Sequence, residues 1–169
     1  MIRAVLLSLA LVATPSFAKD EPSKEHHTAH EEDDDHVSEG HGVRAVHAWT
    51  HATRDHHALV FVEIENNSNT EVTLVGGEAG NANSAALVGF ALVDGEPDFV
   101  ELPGMPIPAG GEVVLAPNGL AIKLDGLSGD LHEDESFEME LAFDFGHLDI
   151  VVAVETADAS QHSHAGHQH

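Results

Sequence analysis

Imidazole is the chemical group that this sequence supplies in excess. Of the 15 histidines in 169 residues, His26, His27, His30, His36, His41, His47, His51, His56 and His57 crowd the N-terminal third, and His162, His164, His167 and His169 close the chain. Neutral imidazole ligates zinc, cupric copper and nickel, most readily alongside carboxylate oxygen. The runs His26-His27-Thr28-Ala29-His30 and His162-Ser163-His164-Ala165-Gly166-His167-Gln168-His169 place imidazoles one to four residues apart, and Glu31-Glu32-Asp33-Asp34-Asp35 adds carboxylates beside the first of them. Such ligands can wrap around an ion. The plainer alternative is a solvated tail that keeps an acidic protein soluble.

A third arrangement is local and sharper. In His47-Ala48-Trp49-Thr50-His51-Ala52-Thr53-Arg54-Asp55-His56-His57, residues 47, 49 and 51 alternate onto one face of a strand. If Ala52 to Asp55 make the turn, His51 and His56 stand opposite one another, with Cβ atoms roughly 4.5–5.5 Å apart. This predicts a preorganised pair at His51 and His56, with His47 or His57 as a third ligand. Exposed polar residues near a strand end are the competing reading. Cysteine is absent and only Met105 and Met139 follow the N-terminal leader, so Cu2+ is favoured over Cu+, and zinc is an alternative.

Charge narrows the partners. With 6 basic against 30 acidic residues, the net charge is −24, which repels nucleic acid and anionic lipid and attracts cations. Residues 1–18, MIRAVLLSLALVATPSFA, read as a secretory signal: Arg3, a short apolar run, then Ser16 and Ala18 before an expected cut after Ala18. A periplasmic protein is expected, with no lipid-bearing cysteine at the cut and no integral membrane segment after processing.

The elements that must position these residues show two-residue periodicity. In Ser136–Phe145, residues Phe137, Met139, Leu141, Phe143 and Phe145 share one face, and Glu138, Glu140 and Asp144 the other. Leu148, Ile150, Val152 and Val154 repeat the pattern after Gly146, which reads as the turn of a hairpin. Further strands are expected at Val43–Trp49, Ala58–Glu65, Glu71–Gly76, Ala85–Val93, Glu112–Leu115 and Leu120–Leu124, with Gly76-Gly77 and Gly110-Gly111 read as turns. No amphipathic helix stands out. The expectation is an all-β, cupredoxin-like or immunoglobulin-like antiparallel sandwich of about eight strands over 43–156. It follows an acidic, histidine-rich segment (19–42) predicted to be disordered and precedes a histidine-rich tail at 157–169.

The stretch from Met105 to Val154 resembles the periplasmic copper chaperones of the PCu(A)C type, whose pattern runs Ile-Pro-Ala-Gly-Gly, a strand, a Pro-Gly-Gly turn, a ligand strand and a long closing hairpin. Ile107-Pro108-Ala109-Gly110-Gly111 carries the first of these. Upstream, Ala48-Trp49 and the strand ending Ile64-Glu65-Asn66 look like the family's opening strands, so the resemblance spans roughly Val46 to Glu155. It implies a cupredoxin-like fold and delivery of copper toward oxidase assembly. It also implies a site of two His and two Met, and here that set is not retained. The His-x-Met pair falls on Ala121 and Lys123, the first His near Gly89 and the first Met near Phe99.

Three functions are compatible with these residues to different degrees. The first is a periplasmic metal-binding accessory protein, a copper chaperone or copper/zinc buffer, with His26, His27, His30, His47, His51, His56, His57, His162, His164, His167 and His169 as candidate ligands and a periplasmic or membrane-bound cuproprotein as acceptor. The second is a metal-free interaction module derived from a chaperone. The third, a copper-zinc dismutase-like enzyme, needs histidines at fixed core strands, and only His132 and His147 fall later in the domain. No Ser-His-Asp order or phosphate-cradling loop appears, so an enzyme is not expected.

Overall fold

Alternating apolar residues become paired strands throughout the computed structural model, which describes residues 37–162. The expected signal (1–18), most of the acidic segment, and His26, His27, His30, His164, His167 and His169 lie outside the described residues. Eleven strands follow in order: β1 Val37–Gly40, β2 Val43–His51, β3 His57–Asn66, β4 Val72–Ala79, β5 Ser84–Val93, β6 Glu96–Glu101, β7 Met105–Ile107, β8 Glu112–Leu115, β9 Leu120–Asp125, β10 Ser136–Phe143 and β11 Gly146–Glu155. Among the described residues no helix is long and apolar enough to cross a membrane.

The all-β expectation holds, with three short strands beyond it. β6 and β7 carry Pro97 and Pro106, which cannot donate to a ladder and so sit at the two ends of the sheet order. β1 lies within the segment expected to be disordered, yet Val37 pairs with Val46 and Gly40 with Val43. The closing hairpin pairs Met139 with Ile150 and Leu141 with Leu148. Its turn falls on Asp144 and Phe145, and Gly146 opens β11.

Gly76 and Gly77 are not a turn. They lie inside β4, where that strand pairs with β10 on one side and with β5 on the other. This double pairing joins the ends of the run β5-β9-β3-β2-β11-β10-β4, so the sheet closes on itself. A Cβ added to Gly77 would lie 2.7 Å from the Glu140 carbonyl oxygen and 2.9 Å from Met139 Cε. Gly77→Ala should therefore destabilise the domain by about 1–3 kcal/mol through overpacking; an unchanged urea midpoint would contradict this.

The main core lies inside the closed sheet and is built from Val60, Ile64, Leu74, Leu87, Ile122, Leu141 and Val152 among others, all at or near zero exposure. A second, smaller cluster of Trp49, Phe61, Val88 and Ala121 occupies the opposite face of β2, β3, β9 and β5. Of the candidate ligands, His51 lies against that second cluster, with ring separations of 5.1 Å to Trp49 and 5.8 Å to Phe61.

Candidate functional site

β2 brings its histidines to this outer face by means of a bulge. Val46 pairs with Glu63 but Trp49 with Phe61, so β2 carries one extra residue between them, and His47 takes a left-handed φ of 53°. That conformation is uncommon for any residue but glycine, although histidine is among those that tolerate it. On the core side of β2, Val43, Ala45 and Ala48 join the main cluster. On the outer side Trp49 meets His51 at a ring separation of 5.1 Å. Trp49 and His51 thus share the outer face, while the extra residue interrupts two-residue alternation at His47.

The expected partnership of His51 with His56 is not. Pairing between β2 and β3 ends at Thr50 with Val60, and that register carries His51 toward Leu59. Residues 52–56 make an excursion rather than a tight turn, because Thr53 bridges to Leu131 and the His56 carbonyl accepts from Gly126 and Leu127. His56 and His57 are exposed, and His57 pairs with Asp125. The short-loop assumption fails because the loop's own backbone groups find partners elsewhere.

What covers the outer face instead is the start of the C-terminal tail. β11 runs parallel to β2, with Ala153 beside Trp49 and Glu155 beside His51. The chain then turns back over β2. His51 Nε2 donates to the Ala159 carbonyl at 2.8 Å, and Ala159 packs on the Trp49 cluster. Three residues later His162 is buried at 2% exposure, with Nδ1 bonded to Glu155 Oε1 and its ring centroid 5.6 Å from that of His47. Residues 157–162 therefore belong to the folded domain. Glu155 and its bond to His162 have no periodic signature, since a turn separates the two. Among the described residues, no group of three or more His, Asp or Glu side chains gathers closely enough to hold a metal ion.

The positions of the resembled family's ligands are filled with other chemistry. Ala121 is fully buried and completes a row across four strands, Trp49 to Phe61 to Ala121 to Val88. Phe99 packs against this row. A Cβ added to Gly89 would lie 3.2 Å from Leu102 Cδ1, a tight contact with an apolar side chain. The Lys123 ammonium pairs with Asp125 at 3.1 Å. An apolar plug and an ion pair stand where two His and two Met would be.

No curated protein sequence matches the chain. Among solved structures of similar fold, the copper-bound PCuAC domain from PmoF2 gives a TM-score of 0.60 at 20% identity, covering 72% of this chain and 98% of that one. The apo PCuAC domain from PmoF1 gives 0.63 at 24%, covering 72% and 99%. The Cu(I) form of DR1885 from Deinococcus radiodurans gives 0.54 at 23%, covering 68% and 78%. These likenesses establish the fold. The family pattern described as lipoprotein LpqE-like matches residues 43–155. Because that match runs from the first residue of β2 to the last of β11, taking in the bulge, the apolar row and the parallel closing pair, the chain belongs to the LpqE-like family.

Proposed function

We propose that this protein is an exported, periplasmic metal-binding accessory protein, a copper chaperone or copper/zinc buffer whose ligands are the histidines of its two ends and of the outer face of β2. The observation that carries the reading is the return of residues 157–162 onto β2, which starts the terminal histidine run beside His47 and His51. The copper-bound PCuAC domain of similar fold supports copper as the ion, and the scarcity of Met and lack of Cys favour Cu2+ over Cu+. Zinc is the second candidate. The acceptor in this reading is a cuproprotein of the same compartment, and no catalytic step is assigned.

Isothermal titration of the chain with Cu2+ and Zn2+, beside a chain lacking residues 19–36 and 163–169, tests this. The shorter chain should lose most of the bound equivalents. A second reading, a metal-free interaction module, is favoured by the Trp49–Phe61–Ala121–Val88 row and the Lys123–Asp125 pair at the family's ligand positions. Absence of uptake by both chains would establish that reading instead.

A further inference from the structure

We infer that the β5–β6 hairpin is a docking arm for a second protein that presents an apolar surface flanked by lysine or arginine. This goes beyond the metal-binding reading and does not depend on it. β5 leaves the sheet before it ends. Its pairing with β9 stops at Gly89 opposite Leu120, with one further bond from the Phe90 amide to the Gly119 carbonyl. Among the described residues, Ala91, Leu92 and Val93 then pair only with β6. Asp94 and Gly95, at φ of 53° and 89°, make the two-residue turn that suits such a hairpin. The projecting part is apolar where a merely solvated arm would be polar: Leu92 is 69% exposed, Val93 and Val100 are 43% each, and Phe90 is 38%. A two-stranded hairpin alone is marginal in water, and contiguous apolar residues rimmed by polar ones mark interaction sites.

The free edge of the arm is blunted. The pairing of Val93 with Glu96 across the turn, and the bond from the Leu102 amide to the Leu87 carbonyl, turn the amides of Glu96, Asp98 and Val100 toward β5 and leave those of Pro97, Phe99 and Glu101 outward. Pro97 has no N–H, and that of Phe99 donates to Asp98 Oδ1 at 2.8 Å, so an added strand finds little to pair with. Recognition falls to the side chains instead. Phe90 and Leu92 stand on the same face as buried Val88, opposite Phe99 and Pro97, and the Phe90 and Phe99 rings meet edge to face at 5.7 Å. This stripe continues the Trp49–Phe61–Ala121–Val88 row out into solvent. Asp94, Glu96, Asp98 and Glu101 surround it, all exposed, and no Lys or Arg occurs between Arg54 and Lys123. A second copy would bring four more carboxylates against these four, whereas cationic side chains are drawn in.

Fluorescence anisotropy of a short labelled peptide alternating Leu with Lys, titrated with the full chain in the presence of a chelator at about 0.15 M salt, tests the arm without metal. Two control peptides, alternating Ser with Lys and Leu with Glu, separate charge from apolar contact. The Leu–Lys peptide should bind about 10-fold more tightly than either control, and Leu92→Ser, at a position outside both core clusters, should remove that advantage. Equal binding of the Leu–Lys and Ser–Lys peptides overturns the proposal, because attraction to the acidic N-terminal segment, or to Glu78, Glu140 and Asp149 side by side on β4, β10 and β11, would account for it. An advantage that survives Leu92→Ser overturns it as well. Should Leu92→Ser fold poorly, the amide resonances of the parent decide: the Leu–Lys peptide must shift those of residues 90–101, and shifts confined to β10 and β11 would sink the arm. Sedimentation of the parent as a dimer that Leu92→Ser dissolves would give the arm to a second copy and remove the basic partner. Metal uptake is read in its own titration, so either idea can fail without the other.

Discussion

Replacing Asn66 by alanine should cost about 3 kcal/mol and lower the melting temperature by about 10 °C. Asn66 is fully buried at the end of β3. Its Nδ2 donates to the carbonyls of Thr70, Ile107 and Pro108 at 2.8, 2.9 and 3.1 Å, and its Oδ1 accepts from the Ser68 amide at 3.0 Å and hydroxyl at 2.7 Å. One side chain thus ties the 67–71 loop to β7 and the turn after it. Removing it leaves the buried Ile107 carbonyl without this donor, worth about 1–3 kcal/mol, and also loses the part-buried bonds to Thr70 and Pro108. Asn66→Asp preserves the shape and the acceptor but not the donors, so it should be nearly as damaging. Chemical denaturation of the three proteins would show this, and an aspartate variant as stable as the parent would mean that shape alone matters.

Acidification gives the other large effect. Between pH 7 and pH 5, the affinity for Cu2+ or Zn2+ should fall by roughly 10³-fold for each ion held by two imidazoles. An imidazole must be neutral to ligate, and with an ordinary pKa of about 6.5 its neutral fraction drops about 25-fold over that interval. Affinity is therefore present above the imidazole range and lost as pH falls through it. Carboxylates would keep their charge to about pH 4.5, so binding by the acidic residues alone would survive at pH 5. Competitive titration against a chelator at the two pH values distinguishes the two, and undiminished affinity at pH 5 would exclude histidine as the ligand.

Sequence periodicity was most informative where one face is buried and the other wet. Met139, Leu141, Leu148 and Ile150 had to face inward, and they pair as two-residue alternation requires. The Asn that ends β3 was visible as a motif, though not the three carbonyls it serves. Strands at the sheet ends escaped notice because Pro97 and Pro106 mimic loop punctuation. Gly76 and Gly77 were misread for a related reason: a glycine that lets two backbones approach looks, in sequence, like one that lets a chain turn.

The histidine geometry depended on long-range partners and was correspondingly harder to read. That Trp49 and His51 share a face follows from local alternation, whereas the bulge at His47 has no local signature. The separation of His51 from His56 follows from Thr53 bridging to Leu131, and the meeting of His47 with His162 follows from β11 lying parallel to β2. Both depend on segments about 80 to 110 residues away. The substitution of Ala121 and Lys123 for ligands was legible at once, while the apolar row that replaces the site needed the register of four strands.

The parallel pairing of β11 with β2 also governs when the molecule can come into being. β2 is nearly the first strand and β11 the last, so the Trp49–His51 end of β2, beyond its pairing with β1, lacks one neighbour until residues 153–155 are available. Contacts of such sequence separation are slow to form, since the chain entropy of closing the loop is lost before the pairing returns it. A nascent chain still missing its C-terminal strand lacks both the closing hairpin and the residues that cover Trp49. Cooperative folding is therefore expected only once the C-terminal strand is available. For a chain proposed to be exported, this topology favours folding after passage.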